Sequence, residues 1–250
     1  MNTISPRALL VRGMLAGLLA GVVAFLVAYF LGESRVDAAI ALEEAGAHDH
    51  GGAEAAPVSR ALQATAGLGT GTLLYGIALG GIAALVYCYA LGRIGRFGPR
   101  ATALLVSGGL FVTVSLVPFF KYPANPPAVG DPETTVQRTT LYVLMLALGL
   151  LLAAAALILG RRLAPRLGNW NASVAASLAF VAAVGIAYAL LPGVNEVPGG
   201  FPAALVWQFR LASLAIQAAM WSTFGLAFGF LAERALASAP TPKEAVQPAS

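Results

Sequence analysis

Read from the N-terminus, the chain alternates between long stretches almost free of charge and shorter polar interruptions. Six stretches stand out, at 8–31, 68–91, 101–120, 139–160, 172–191 and 210–231. Each offers about 20 predominantly apolar residues, the length that carries a helix across a hydrocarbon layer. A helix satisfies its own backbone hydrogen bonds in lipid, so the pattern predicts an all-α polytopic membrane bundle of about six transmembrane helices. The first run has Arg7 and Arg12 before and at its start but exceeds the h-region of a signal peptide, so it reads as an anchor. The bundle is expected to form one domain over 1–234. The segment 235–250, ending in SAPTPKEAVQPAS, is expected to be a disordered tail.

Composition sharpens this reading. Hydrophobic residues make up 58% of the chain and charged residues 10%, against about 25% charged in soluble domains. Too little polar surface remains to cover a water-exposed globule. The net charge of +4 therefore points to topology, and no nucleic-acid partner is implied; the partner in view is the lipid bilayer. Ten of the 15 Lys and Arg residues lie before or at the start of the first run, in the turns 92–100 and 161–171, or after the last run. The positive-inside rule then places both termini in the cytoplasm and turns three longer connections outward. Nine of the 11 acids sit in those connections. The single cysteine, Cys88, lies inside an apolar run and reads as packing.

The second connection, KYPANPPAVGDP (121–132), contains Lys121, Tyr122, Pro123, Asn125, Pro126, Pro127 and Asp131. Proline fixes φ and removes backbone donors, so such a segment keeps its shape without a hydrogen-bonded scaffold. It reads as a rigid cap or as an entrance lining a cavity. The third connection, LPGVNEVPGGFP, resembles it. Each begins where a proline (Pro118, Pro192) is expected to end the incoming helix, and each has an asparagine (Asn125, Asn195). A glutamine and an arginine then open the outgoing helix: Gln137 with Arg138, Gln208 with Arg210. Arg60 and Gln63 stand in a related place before the second run. This is the outline of a parallel repeat. Gly13, Gly17 and Gly21 form a four-residue stripe in the first run, and Gly225 and Gly229 another in the last. Such stripes let helix backbones approach closely, within the chain or against another membrane subunit. The first run is the best docking candidate, so a homo- or hetero-oligomer would form through it.

Candidate chemistry is sparse. Both histidines, His48 and His50, flank Asp49 in the first connection (32–66), with Glu43 and Glu44 upstream. Imidazoles and carboxylates in one loop suit Co²⁺, Ni²⁺ or Zn²⁺. Glu196 is the only acid between 134 and 232, a candidate ion ligand or a partner for Arg210. Lys121, Arg138 and Arg210 could equally pair with Asp131, Glu133 and Glu196 and lock the connections. Gln217 and Ser213 suit interhelical hydrogen bonds. The apolar runs show no basic pocket, which argues against an anionic solute. No phosphate-binding loop, metalloprotease motif, dinucleotide fingerprint or nucleophile–base pair is present, so no enzyme is expected.

The segments VRGMLAGLLAGVVAF, VDAAIALEEA, the HDH loop, PFFKYPANPPAVGDP, RLAPRLGNWNA, LLPGVNEVPGGFPA and FRLASLAIQ together resemble the CbtA family of predicted cobalt transporter subunits, with the Arg/Ala-rich character of its actinobacterial branch. Some members are described with five spans, against the six read here. The resemblance implies a plasma-membrane subunit of cobalt uptake, in organisms that make or use cobalamin, acting with a small His-containing partner, CbtB. It implies metal capture by the first outward loop, matching His48 and His50. The expectation is a Co²⁺ permease subunit with no permanently bound cofactor. Asp131 and Glu196 are candidate oxygen ligands for the transported ion. A nickel permease and a non-transporting scaffold stand beside it, since the Irving–Williams order favours Ni²⁺ at an unselective N/O site.

Overall fold

The computed structural model describes residues 5–47, 58–127 and 129–238, and among them every regular element is helical. In chain order these are α1 (Pro6–Val27), α2 (Glu33–Ala47), α3 (Arg60–Leu62), α4 (Leu68–Ala90), α5 (Pro99–Leu110), α6 (Val117–Lys121), α7 (Thr135–Leu190) and α8 (Ala203–Ala237). π-helical segments join α1 to α2 (Ala28–Gly32), α3 to α4 (Gln63–Gly67) and α5 to α6 (Phe111–Leu116). Five continuous helices are long and apolar enough to cross a membrane: Pro6–Ala45, Arg60–Ala90, Pro99–Lys121, Thr135–Leu190 and Ala203–Ala237.

The six apolar runs fall on five helices because 139–160 and 172–191 share α7. At 56 residues a straight α7 would extend about 84 Å, far more than a bilayer core. It is not straight. Gly168 has φ 75° and ψ 162°, outside the helical region, a conformation that costs glycine little and other residues much. Gly160 and Ala176, equidistant in sequence from Gly168, face each other: a Cβ on Gly160 would lie 3.3 Å from that of Ala176. Met145 and Val184, one from each arm, share a buried cluster with Val117 and Tyr122. The two arms therefore fold back along each other.

Three expectations are corrected. The stretch 32–66 is not a loop throughout, because helix continues through α2 and resumes at Arg60. The sequence ESRVDAAIALEEAGA is rich in good helix formers though too polar for the apolar run to continue. Pro118 does not end its helix; it sits at the start of α6 just after the π segment, where wider backbone spacing accommodates the missing N–H. Helix α8 runs to Ala237, beyond the expected edge of the tail at 235. Residues 239–250 of that tail lie outside the described residues.

Contacts divide the chain into two compact units. The first comprises Met1–Val23, Thr70–Gly108 and Met220–Ser250. Here the glycine stripe of α1 meets a glycine stripe of α4. A Cβ on Gly17 would lie 2.2 Å from the Gly76 carbonyl oxygen, and one on Gly80 2.4 Å from that of Gly13. Gly21 meets the Thr72 backbone in the same way. Close backbone approach by small residues drives this kind of membrane-helix packing. The Gly13/Gly17/Gly21 face is thus filled by this chain's own α4, and an oligomer would have to use another face of α1. Gly225 and Gly229 of α8 similarly receive Ser107 and Ala103 of α5. The Ser107 hydroxyl donates to the Trp221 carbonyl at 2.5 Å. Tyr87 packs edge-on against Phe228 with centroids 4.9 Å apart, and Arg100 pairs with Glu233.

The second unit comprises Ala24–Gly69 and Gly109–Ala219. It holds the folded-back arms of α7, the α6 end, and the connections 122–134 and 191–202.

Candidate functional site

The two proline-rich connections are tied to each other by side chains the sequence placed at matching points. Arg138, in the first turn of α7, pairs with Glu196 of the third connection at 2.9 Å. Arg210 of α8 reaches the second connection, donating from Nη2 to Asn125 Oδ1 at 2.8 Å and from Nε to the Ala124 carbonyl at 3.3 Å. Each connection is therefore held by the arginine that follows the other. The incoming helix ends exchange bonds too. Lys121 Nζ donates to the Tyr188 carbonyl at 2.7 Å, the Tyr122 hydroxyl to the Pro192 carbonyl at 2.9 Å, and the Tyr188 hydroxyl to the Val117 carbonyl.

Glu196 is the knot of this arrangement. Its Oε2 accepts from the Asp131 N–H at 3.1 Å as well as from Arg138, and its Oε1 accepts from the Thr134 hydroxyl at 2.5 Å. Its carboxyl is held below the ordinary carboxylate range, chiefly by the Thr134 hydroxyl, with the Asp131 N–H and the Arg138 charge adding to the effect against a smaller opposing cost of burial. Gly130 has φ 135°, and a Cβ there would fall 2.1 Å from Arg138 Nη1. A glycine at this point lets the guanidinium lie against the connection.

These ties enclose a cavity of about 690 Å³. Its lining includes Tyr122, Pro123, Asn125, Arg138, Asn195, Glu196 and Arg210 from the sequence candidates. Pro126 is fully buried and lies, with half-buried Pro127, in the same connection, and the Pro126 carbonyl accepts the Val129 N–H at 3.2 Å. Helix α8 adds Ser213 and Gln217, and the π segment before α6 adds Ser115, whose hydroxyl donates to Gln217 Oε1 at 3.3 Å. An interruption of regular helix at a functional cavity is common. Two arginines, far apart in sequence, line this one cavity.

The other candidates lie elsewhere. Asp131 is exposed, and its Oδ1 accepts the Glu133 N–H at 2.9 Å. Glu43 and Glu44 are exposed on α2. His48, Asp49 and His50 lie outside the described residues. Among the described residues no cluster of three or more His, Cys, Asp or Glu could hold a metal ion. Sequence reasoning missed Glu33 and Asp37 as partners of Arg60, and Thr134 and Tyr188 as ties. The one signal available was the helical spacing of Glu33 and Asp37, which puts both on one face.

A bundle of long apolar helices with a polar cavity built from helix ends and ordered connections defines a multi-pass membrane protein. The family model described as probable cobalt transporter subunit (CbtA) matches residues 6–233. The chain belongs to the CbtA family. No curated protein and no solved structure matches it. Membership in a transporter-subunit family implies a partner and suggests a non-enzymatic role.

Proposed function

We propose that this chain is the plasma-membrane subunit of a Co²⁺ uptake transporter, acting with a small CbtB-like membrane subunit. The family match over nearly the whole chain carries this reading. We further infer six crossing segments, with α7 contributing two. The break at Gly168 and the approach of Gly160 to Ala176 support that count. An even number returns both termini to one side, and the arginine asymmetry assigns that side to the cytoplasm. The two proline-rich connections then face outward, with the cavity as their entrance.

In this scheme His48 and His50 capture metal before it reaches the cavity, with Glu43, Glu44 and Asp49 adding negative charge nearby. Asp131 is the freer oxygen ligand at the entrance, since one of its oxygens has no donor among the described residues. Glu196 already accepts three protein donors, so we assign it to holding the entrance together.

The test is radioactive cobalt accumulation at limiting metal, in cells lacking their own uptake system and expressing this chain with the small subunit, with excess nickel as competitor. Uptake that requires this chain and resists nickel is expected. The double variant His48→Ala/His50→Ala is expected to lower uptake at limiting cobalt and to recover at high cobalt. No accumulation, with the protein in the membrane, would overturn the transport reading.

A further inference from the structure

The cavity's charged lining is two guanidiniums, Arg138 and Arg210, and one carboxylate, Glu196. Arg138 is neutralised by Glu196, and the three protein donors on Glu196 use up much of its capacity to accept. Arg210 is different. It is half-buried, and among the described residues no carboxylate pairs with it. Its two hydrogen bonds go to neutral oxygens and use only Nε and Nη2. The rest of its five N–H donors have no acceptor among the described residues.

The neighbouring amides reinforce this. Asn125 turns its Oδ1 to Arg210, which leaves its NH₂ as its free end. Gln217 turns its Oε1 to the Ser115 hydroxyl, which again leaves the NH₂. Three separate side chains thus present N–H groups to a cavity with a net positive lining. A bare divalent cation needs converging oxygen or nitrogen acceptors, and the one carboxylate of this lining already accepts three protein donors. A partly buried guanidinium without a counter-ion is costly, and its planar fork matches a carboxylate. At about 690 Å³ the space falls in the range of small-molecule sites, roughly 300–1,000 Å³.

We propose that this cavity binds a small polycarboxylate, with Arg210 as its principal anchor and the Asn125 and Gln217 amides as supporting donors. Resting on the cobalt-uptake reading, the proposal further holds that metal enters this cavity as an anionic carboxylate chelate. The metal's coordination sphere is then supplied by the chelator, which accounts for a cavity without a protein metal cluster.

The test uses the full chain purified in detergent, with four probes in equilibrium binding: citrate, the Co²⁺–citrate complex, cobalt chloride and inorganic phosphate. Citrate and its cobalt complex are expected to bind and cobalt chloride not to bind at this cavity. Arg210→Gln is expected to weaken citrate binding by about 10- to 100-fold, the loss of one charged hydrogen-bonding partner. Asn125→Asp supplies an internal counter-ion to Arg210 and is expected to abolish citrate binding without lowering the melting temperature, which guards against a misfolded Arg210 variant. Arg60→Gln is expected to bind like the parent chain.

Citrate binding unchanged in both Arg210→Gln and Asn125→Asp would overturn the proposal, as would binding of cobalt chloride alone to the His48→Ala/His50→Ala chain. Phosphate binding as tightly as citrate would remove the polycarboxylate class. Supplying cells with cobalt as chloride or as citrate complex separates the two readings. Uptake of chloride-supplied cobalt that ignores Arg210→Gln would leave cobalt transport standing and remove the chelate. Citrate binding without any cobalt uptake would do the reverse.

Discussion

Gly17→Ala and Gly71→Ala place the same methyl group on two interior helical glycines of one compact unit, and the structure predicts opposite outcomes. At Gly17 the added Cβ would sit 2.2 Å from the Gly76 carbonyl oxygen, 2.9 Å from its carbon and 3.0 Å from the Gly80 Cα. All three are backbone atoms of a regular helix, with no flexible side chain to swing aside. Restoring ordinary contact near 3.4 Å requires α1 and α4 to separate by about 1 Å. A gap of that size forfeits roughly a quarter to a half of each dispersion contact along the seam. Overpacking typically costs about 1–3 kcal/mol, and the rigidity of the opposing atoms puts Gly17→Ala at about 3 kcal/mol. At Gly71 nothing lies within 4 Å of the added Cβ. There the methyl group reduces the freedom of the unfolded chain and stabilises by about 0.4–1 kcal/mol. Thermal unfolding in detergent, followed by tryptophan fluorescence, reads both. By the scaling for chains of this size Gly17→Ala is expected to lower Tm by about 6–12 °C, and Gly71→Ala to leave it level or slightly raised. Equal Tm for Gly17→Ala and the parent chain, or equal damage at both sites, would refute the packing argument.

Gly130→Ala forces a side chain onto φ 135° and into the Arg138 guanidinium, so a destabilisation of about 1–3 kcal/mol is expected. A thermal melt no different from the parent's would count against the Arg138–Glu196 tie. Because the Glu196 carboxyl is held below its ordinary range, its stabilising effect is complete above that range and is lost as pH falls through the lowered value. Tm of the parent chain should therefore drop in acid by an increment that Glu196→Gln lacks, and identical acid profiles would show that Glu196 contributes nothing. Arg100→Ala removes an ion pair with Glu233 whose partners are 57% and 41% exposed. A change of at most about 1 kcal/mol is expected there, and a larger loss would mark that pair as more than a surface contact.

The hydropathy pattern determined the class of the protein and the position of its apolar runs, because lipid solubility is a property summed residue by residue along the chain. It also marked the glycine stripes, the proline-rich connections and the arginines near the starts of α3 and α7, while Arg210, expected to open its helix, lies about two turns into α8. What those features touch was beyond it. The stripe of α1 could as well have served another subunit; only the fold gives it the matching glycines of α4. Arg138 and Arg210 looked like interchangeable locks, yet one meets a carboxylate and the other a neutral amide. That difference leaves a charge unbalanced in the cavity. The helix α2 was hidden for a simpler reason, since its polar, alanine-rich sequence ends the apolar run without ending the helix. Pairing across the chain depends on which helix ends converge in space, and convergence is set by packing between segments that no local pattern connects.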